Sequence, residues 1–197
     1  MTVNAPARPL SGTMDVDEFM AFLGTRPNGE HWELIEGVAV MMAPPSYAHQ
    51  RIVRNLCELL NGAFATQGLD LFAYFDAGAR TPGVRNFQPE PDVAVVPGVS
   101  GYDLYSERFQ LVAEVLSPSN TRTEIDLKLR HYREAPHNLY AVVIEPREFL
   151  VEIHAKNRDW RPAILTKADD PIQMPEFGLR CCVADLYRGT PLDPRRA

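Results

Sequence analysis

Cysteine is scarce in this chain: Cys57, Cys181 and Cys182 are the three it has. An odd count with an adjacent pair makes a poor disulfide framework. No CxxC or Cys/His spacing suggests zinc, so all three read as reduced, mostly packed thiols. Long apolar runs are absent too: residues 93–96 and 141–144 are apolar over a few positions only, whereas a spanning helix needs about 20. Met1 to Ser11 is polar, contains proline and has no apolar signal core, which reads as cytoplasmic. Positive charge is in deficit. Against 26 Asp+Glu stand 20 Lys+Arg, so the net charge is 20 − 26 = −6. A protein that holds nucleic acid by phosphate neutralisation alone is usually basic. Any contact with nucleic acid is therefore expected to be local, and a cluster of carboxylates would need a metal to mediate it. Disorder and low complexity are excluded by 45% hydrophobic and 23% charged residues, ordinary values for a folded domain. A chain of 197 residues suits one domain of ordinary size.

Residues 1–12 read as a flexible tail and 191–197 as another, leaving 13–190 as a single domain. Thr13 can cap a helix over about 14–23, ended by Gly24 and Pro27-Asn28-Gly29. Two short strands are expected around Glu36-Gly37. Pro44-Pro45 breaks the chain and Ser46 caps a helix of roughly 18 residues. Ile52, Val53, Leu56, Cys57, Leu60 and Phe64 form its apolar stripe, with Arg51, Arg54, Asn55 and Glu58 on the polar face. Strands are expected over 69–75, 85–88, 93–96, 111–116, 139–144, 149–154 and 160–165, with a helix over 120–135. The remainder reads as irregular, with a short strand near 180–183. There is no internal repeat and no linker, so a single α/β domain is the simplest organisation.

Local consistency fails at a few positions, which is where functional sites tend to lie. Glu114 sits inside the apolar string Leu111-Val112-Ala113-Glu114-Val115-Leu116. A carboxylate there must be paired, protonated or bound to a metal, because an unpaired buried charge costs several kcal/mol. Asp92 directly precedes another strand that is apolar on both faces; alone it would pass as a turn residue. On the helix over 120–135, at about 100° per residue, Lys128 falls within about 60° of Ile125, on the arc that should face the sheet, and Glu124 falls beside it. The bland alternative is a solvated Glu124–Lys128 pair at i,i+4. His49 lies in the first turn of its helix on the apolar stripe, either a core histidine or one edge of a cleft. Glu33 and Glu36 are further acids in the hairpin before it, one of which could face the same cleft. Two carboxylates at the ends of neighbouring strands can hold a hard cation such as Mg²⁺. A lysine beside them can position water or neutralise charge building on a phosphate.

Several strings together carry a resemblance: Glu33-Leu34-Ile35-Glu36-Gly37, Ser46 followed by His49, Pro91-Asp92-Val93, Glu114-Val115-Leu116-Ser117-Pro118-Ser119, Lys128 with Tyr132, and Glu145-Pro146. Over about residues 15–165 the chain resembles the Uma-two family of bacterial endonucleases, within the PD-(D/E)XK restriction-endonuclease-like superfamily. The resemblance implies an α/β (α+β) fold, a mixed β-sheet flanked by helices with an N-terminal helix and hairpin. It implies Asp92, Glu114 and the backbone carbonyl of Val115 as ligands of Mg²⁺ (or Mn²⁺). Together with the reading of the residues, this gives Asp92, Glu114, Lys128, Glu33 and His49 as the expected catalytic residues, with Glu124, Tyr132 and Glu36 in support. The superfamily's usual lysine, two residues after the second acid, is here Leu116; Lys128 on the helix is the matching residue. Glu124 stands where the family often has Asp.

The expected function is thus Mg²⁺-dependent hydrolysis of DNA phosphodiester bonds by a homodimer with weak or transient hold on DNA and no membrane association. Leu116 supports an alternative, a catalytically inactive nucleic-acid-binding or regulatory module on the same fold. A carboxylate enzyme without metal, such as a glycosidase, is a third reading, against which the inward Lys128 argues.

Overall fold

A computed structural model describes residues 13–98, 101–118 and 120–196; the tail expected at 1–12 lies outside them, as does residue 197. Among the described residues four α-helices are present: α1 (Val16–Leu23), α2 (Tyr47–Gln67), α3 (Arg122–Glu134) and α4 (Val183–Leu186). The strands are β1 (Trp32–Ile35), β2 (Val38–Met41), β3 (Leu71–Phe75), β4 (Gly78–Ala79), β5 (Val93–Pro97), β6 (Tyr105–Ser106), β7 (Leu111–Val115), β8 (Tyr140–Glu145), β9 (Leu150–Ala155), β10 (Pro162–Leu165), β11 (Pro171–Met174) and β12 (Leu179–Cys182). Six of them form the central mixed sheet in the order β10-β9-β8-β7-β5-β3. The β7–β8 pair is parallel and the other pairs antiparallel. This is the mixed sheet flanked by helices that the sequence leads one to expect.

The strands apolar on both faces, β5, β7 and β8, lie inside the sheet because both faces are covered. The α2 stripe of Ile52, Val53, Leu56, Leu60 and Phe64 packs with Val93, Val95, Ala113, Val115, Val142 and Ile144. On the opposite face Ile125, Leu129 and Tyr132 of α3 pack with Val96, Val112, Ala141 and Val143. The two sets alternate along each strand, as a pleat requires. Glu114 shares parity with Val112 and so belongs to the α3 face.

Three local expectations need correction. The cap of α1 is Asp15, not Thr13: Asp15 and Glu18 close a reciprocal capping box, while the N–H of Met14 goes to Gly37 O of the β1–β2 turn. The strand expected over 85–88 reduces to one bridge, Gln88 with Leu34. Its other backbone groups are divided between partners, since Arg85 O accepts from Val16 and Asn86 O from Gly37. The C-terminal part is more ordered than it reads: β11 begins on Pro171 and pairs with β12 around a turn ended by Gly178. Leu192, within the stretch taken as a tail, packs against the α2-side core, and Asp193 accepts the N–H of Gly189. The three cysteines are free thiols. Among the described residues no helix is long and apolar enough to cross a membrane.

Candidate active site

Five elements deliver side chains to one buried point. The β1–β2 hairpin turns at Glu36 and Gly37, both with positive φ (50° and 78°), the geometry of a tight two-residue hairpin. Along β1, Trp32 and Leu34 face α1, which leaves Glu33 facing α3. The Leu34–Gln88 bridge fixes the hairpin, and the N–H of Glu90 donates to Glu33 Oε1 at 2.8 Å. From α3, Lys128 Nζ donates to Glu33 Oε1 at 2.8 Å and to Glu114 Oε2 at 3.1 Å. One turn on, the Tyr132 hydroxyl donates to Glu114 Oε1 at 2.6 Å. Glu33, Glu114 and Lys128 are 2%, 5% and 3% exposed, so the ion triad is inside the protein.

A second pair adjoins it. β5 pairs with β7 only as far as Val93 opposite Ala113, leaving the next stretch of β7 open on that side. Asp92 occupies the gap: its Oδ2 accepts the N–H of Val115 at 2.6 Å and its Oδ1 meets His49 Nε2 at 2.9 Å. His49 is delivered by the first turn of α2, where Ser46 caps the helix by accepting the His49 N–H. His49 Nδ1 is buried without a partner.

The charges explain the titration. Burial pushes Glu114 up from the ordinary carboxylate value to about 7; Lys128 opposes this, while the neighbouring charges of Glu33 and Asp92 add to it. Burial alone would drive Lys128 down, yet Glu114 and Glu33 outweigh it and hold the ammonium above its ordinary value. Tyr132 is raised by burial and by Glu114, so it stays a hydroxyl donor. Three carboxylates, Glu33, Asp92 and Glu114, therefore stand against one fixed cation, Lys128.

Of the residues singled out in the sequence, Asp92, Glu114, Lys128, Glu33, His49, Tyr132 and Val115 are brought together. Glu124 and Glu36 are not. Helical periodicity sets Glu124 beside Lys128 on the sheet-facing arc, but its side chain turns back to the Thr121 backbone and hydroxyl, closing the capping box of α3. Glu36 is held at the hairpin turn by Arg130 and His131, whose ring stacks on Phe87. Two acids around the site escaped the sequence reading. Glu90 is raised by burial and accepts from Tyr105. Asp76, raised by burial and by Asp92, adopts positive φ beside the Asp92 backbone. The flanking prolines at 89 and 91 mark a rigid segment around Glu90; nothing in the local sequence marks Asp76.

A hard cation is tested by this donor set. Among the described residues no group of three or more His, Cys, Asp or Glu is arranged as a ligand set. Mg²⁺, however, usually takes only one or two protein carboxylates and completes its shell with water and phosphate oxygens. Asp92 and Glu114, linked because Asp92 accepts the N–H of the residue after Glu114, supply the one or two carboxylates that such an ion takes.

A family model described as "Putative restriction endonuclease" (Uma2) matches residues 16–184. Among solved structures, the chain is similar to one described as a "putative nuclease belonging to DUF820" from Anabaena variabilis. The TM-score is 0.72 at 18% identity, covering 88% of this chain and 97% of that one. At that identity the likeness is one of fold. No curated protein matches.

Proposed function

The chain belongs to the Uma2 family, and from that premise we propose that it hydrolyses DNA phosphodiester bonds with a divalent cation held by Asp92 and Glu114. The observation that carries this reading is the buried triad: an ammonium placed between Glu33 and Glu114 and joined through the Val115 backbone to Asp92. Leu116 occupies the position of the superfamily's usual lysine, and Lys128 reaches the same carboxylate from α3.

Asp92, Glu114 and the Val115 carbonyl would hold Mg²⁺ or Mn²⁺. When bound, the cation withdraws charge from a phosphate oxygen and acidifies a neighbouring water. Lys128 is too strongly held in the protonated form to act as a base. It has three N–H donors, two of which go to Glu33 and Glu114. The third would, in this reading, stabilise a phosphate oxygen on which negative charge builds. Glu33 positions the ammonium, and the Glu90 N–H positions Glu33. Tyr132 fixes one oxygen of Glu114 and so the direction of the other. His49 orients Asp92 in the same way.

Supercoiled plasmid incubated with protein and Mg²⁺ or Mn²⁺ tests the reading. We expect nicking that disappears in EDTA and falls by at least about 10²-fold in Lys128→Ala and Glu114→Ala, the order found when one group stabilising developing charge is removed. Equal nicking by wild type and both variants would show a contaminant and remove the activity from this chain. Because removing one partner of a buried pair costs about 3–5 kcal/mol, Glu114→Gln, which keeps the shape and one of the two acceptor oxygens while losing the charge, is assayed alongside and is also expected to be inactive.

A further inference from the structure

The chain is acidic as a whole, yet one face of α2 is not. Tyr47, Gln50, Arg51 and Arg54 form one wall of a groove of about 430 Å³, and Thr190 and Arg196 of the C-terminal segment form part of the other. Arg188 stands beside it, paired with Glu58, as Arg54 is. Arg54 and Arg188 share the Glu58 carboxylate; with Arg195, Asp185 and Asp193 of the same segment counted beside Arg51 and Arg196, the local balance is 5 − 3 = +2 in a chain of net charge −6. Arg51 and Arg196 have no ion-pair partner among the described residues. Tyr47 is 93% exposed at the lip. The groove is open and lined by charge, unlike the apolar, enclosing sites that small ligands prefer.

The far wall is built rather than loose. Asn55, fully buried on α2, donates to the carbonyls of Leu186 and Arg188 at 2.7 and 2.8 Å and ties that segment to the helix. Thr190 donates to Tyr187 O, and Asp193 accepts from Gly189, closing the turn that carries Pro191 and Arg196. The groove is also close to the proposed chemistry. It begins on the same first turn of α2 whose inner side presents His49 to Asp92. The groove and His49 lie on opposite sides of α2, about one helix diameter (10–12 Å) apart, so a strand that reaches both passes over the N-terminal end of that helix.

We propose that this arginine groove is the backbone track of the nucleic-acid substrate, taking phosphates a few nucleotides away from the one presented to Asp92, Glu114 and Lys128. The inference rests on the nuclease reading for its geometry, but makes its own claim about binding. Arginine suits the role because its planar fork can donate twice to one phosphate, and the exposed Tyr47 ring offers a face on which a base can stack. Contacts of this kind hold and orient without reading sequence, and they reconcile a net-acidic protein with a polyanionic substrate.

The test is fluorescence anisotropy with a short labelled DNA duplex and its single strand, over a KCl series, in EDTA and again in Ca²⁺. Arg51→Ala/Arg196→Ala is expected to bind several-fold more weakly for all sequences alike, with the slope of log K against log [KCl] smaller by about 0.9 for each arginine lost. Arg51→Lys/Arg196→Lys keeps the charge and is expected to keep the slope, which separates lost contact from lost folding. Unchanged affinity and slope in the alanine variant would overturn the proposal and leave an acidic protein surface as the better occupant. So would a wild type that binds neither strand form in either condition. Failure of the nuclease reading looks different: the wild type binds, the groove variants bind less, and no divalent cation yields cleavage. Cleavage that is indifferent to Arg51 and Arg196, with wild-type binding, sinks the groove and spares the chemistry.

Discussion

Lys128 and Glu114 are each improbable alone and intelligible together. An ammonium at 3% exposure would shed its proton without carboxylates to hold it, and Glu114 at 5% would be an ordinary neutral acid without Lys128 and Tyr132. The Tyr132 hydroxyl donates to Glu114 and favours its ionised form. Tyr132→Phe therefore raises the proton affinity of Glu114 further. If catalysis needs the carboxylate, the rising limb of the cleavage profile moves to higher pH in this variant than in the wild type. A limb that stays or moves to lower pH would show that the hydrogen bond does not tune Glu114. The variant should also lose about 1.5–3 kcal/mol at alkaline pH, where the acceptor is charged, and less where it is protonated, as chemical denaturation at both ends would read. This pair was legible in sequence for a physical reason: a charge inside an apolar string, and a charge on the apolar arc of a helix, contradict their own periodicities. Asp76 and Glu90 contradict none. Both lie in loops, where an acid is ordinary, and only the tertiary fold brings Asp76 to Asp92 and Glu90 to Glu33.

Elements were legible where their faces are one-sided or fully apolar, and less so where backbone groups are satisfied by unrelated partners. The stripe of α2 and the strings of β5, β7 and β8 follow from periodicity. The bridge at Gln88 could not, because its neighbours bond to α1 and to the hairpin turn. β3 adds a device that periodicity also hides. It is an edge strand of the central sheet, with Phe75 exposed, and such edges invite pairing with other chains. Asn61 of α2 occupies the middle of that edge: its side-chain oxygen accepts the Ala73 N–H at 2.9 Å and its nitrogen donates to Ala73 O at 3.1 Å. One amide thus imitates the neighbouring strand that is missing. In Asn61→Ala both groups are left unpaired, at a cost of about 1–3 kcal/mol, which at about 2–4 °C per kcal/mol for a chain of this size is a visible drop in melting temperature. The bared edge should also make association depend on protein concentration in sedimentation. A variant that melts lower but stays as monodisperse as wild type would mean that Asn61 stabilises the strand without guarding it.

At the scale of the whole molecule, the order β10-β9-β8-β7-β5-β3 was out of reach of local reasoning, because β5 and β7 meet across a loop and β7 and β8 across a helix. That order is what sets Asp92 beside Val115, and it leaves the domain carrying buried negative charge that folding alone does not neutralise. Glu114 binds its proton more tightly folded than unfolded, since its value rises from 4.5 to about 7. Between those values the native state holds more protons, so this group lowers stability as pH rises through the window. A divalent cation that occupies Asp92 and Glu114 relieves the same charge, and as a ligand of the native state it should stabilise the fold by about 2.7 kcal/mol at a hundredfold excess over Kd. For a domain of this size that is a rise of roughly 5–10 °C in melting temperature. Below about pH 7 the proton competes for Glu114, so the rise produced by Mn²⁺ should be large near pH 8 and small near pH 6, and EDTA should reverse it at both. In Glu114→Gln the pH dependence of the rise should vanish together with most of the rise itself. An equal Mn²⁺ effect at both pH values, or one retained in Glu114→Gln, would place the cation elsewhere on the protein and separate the buried cluster from metal binding.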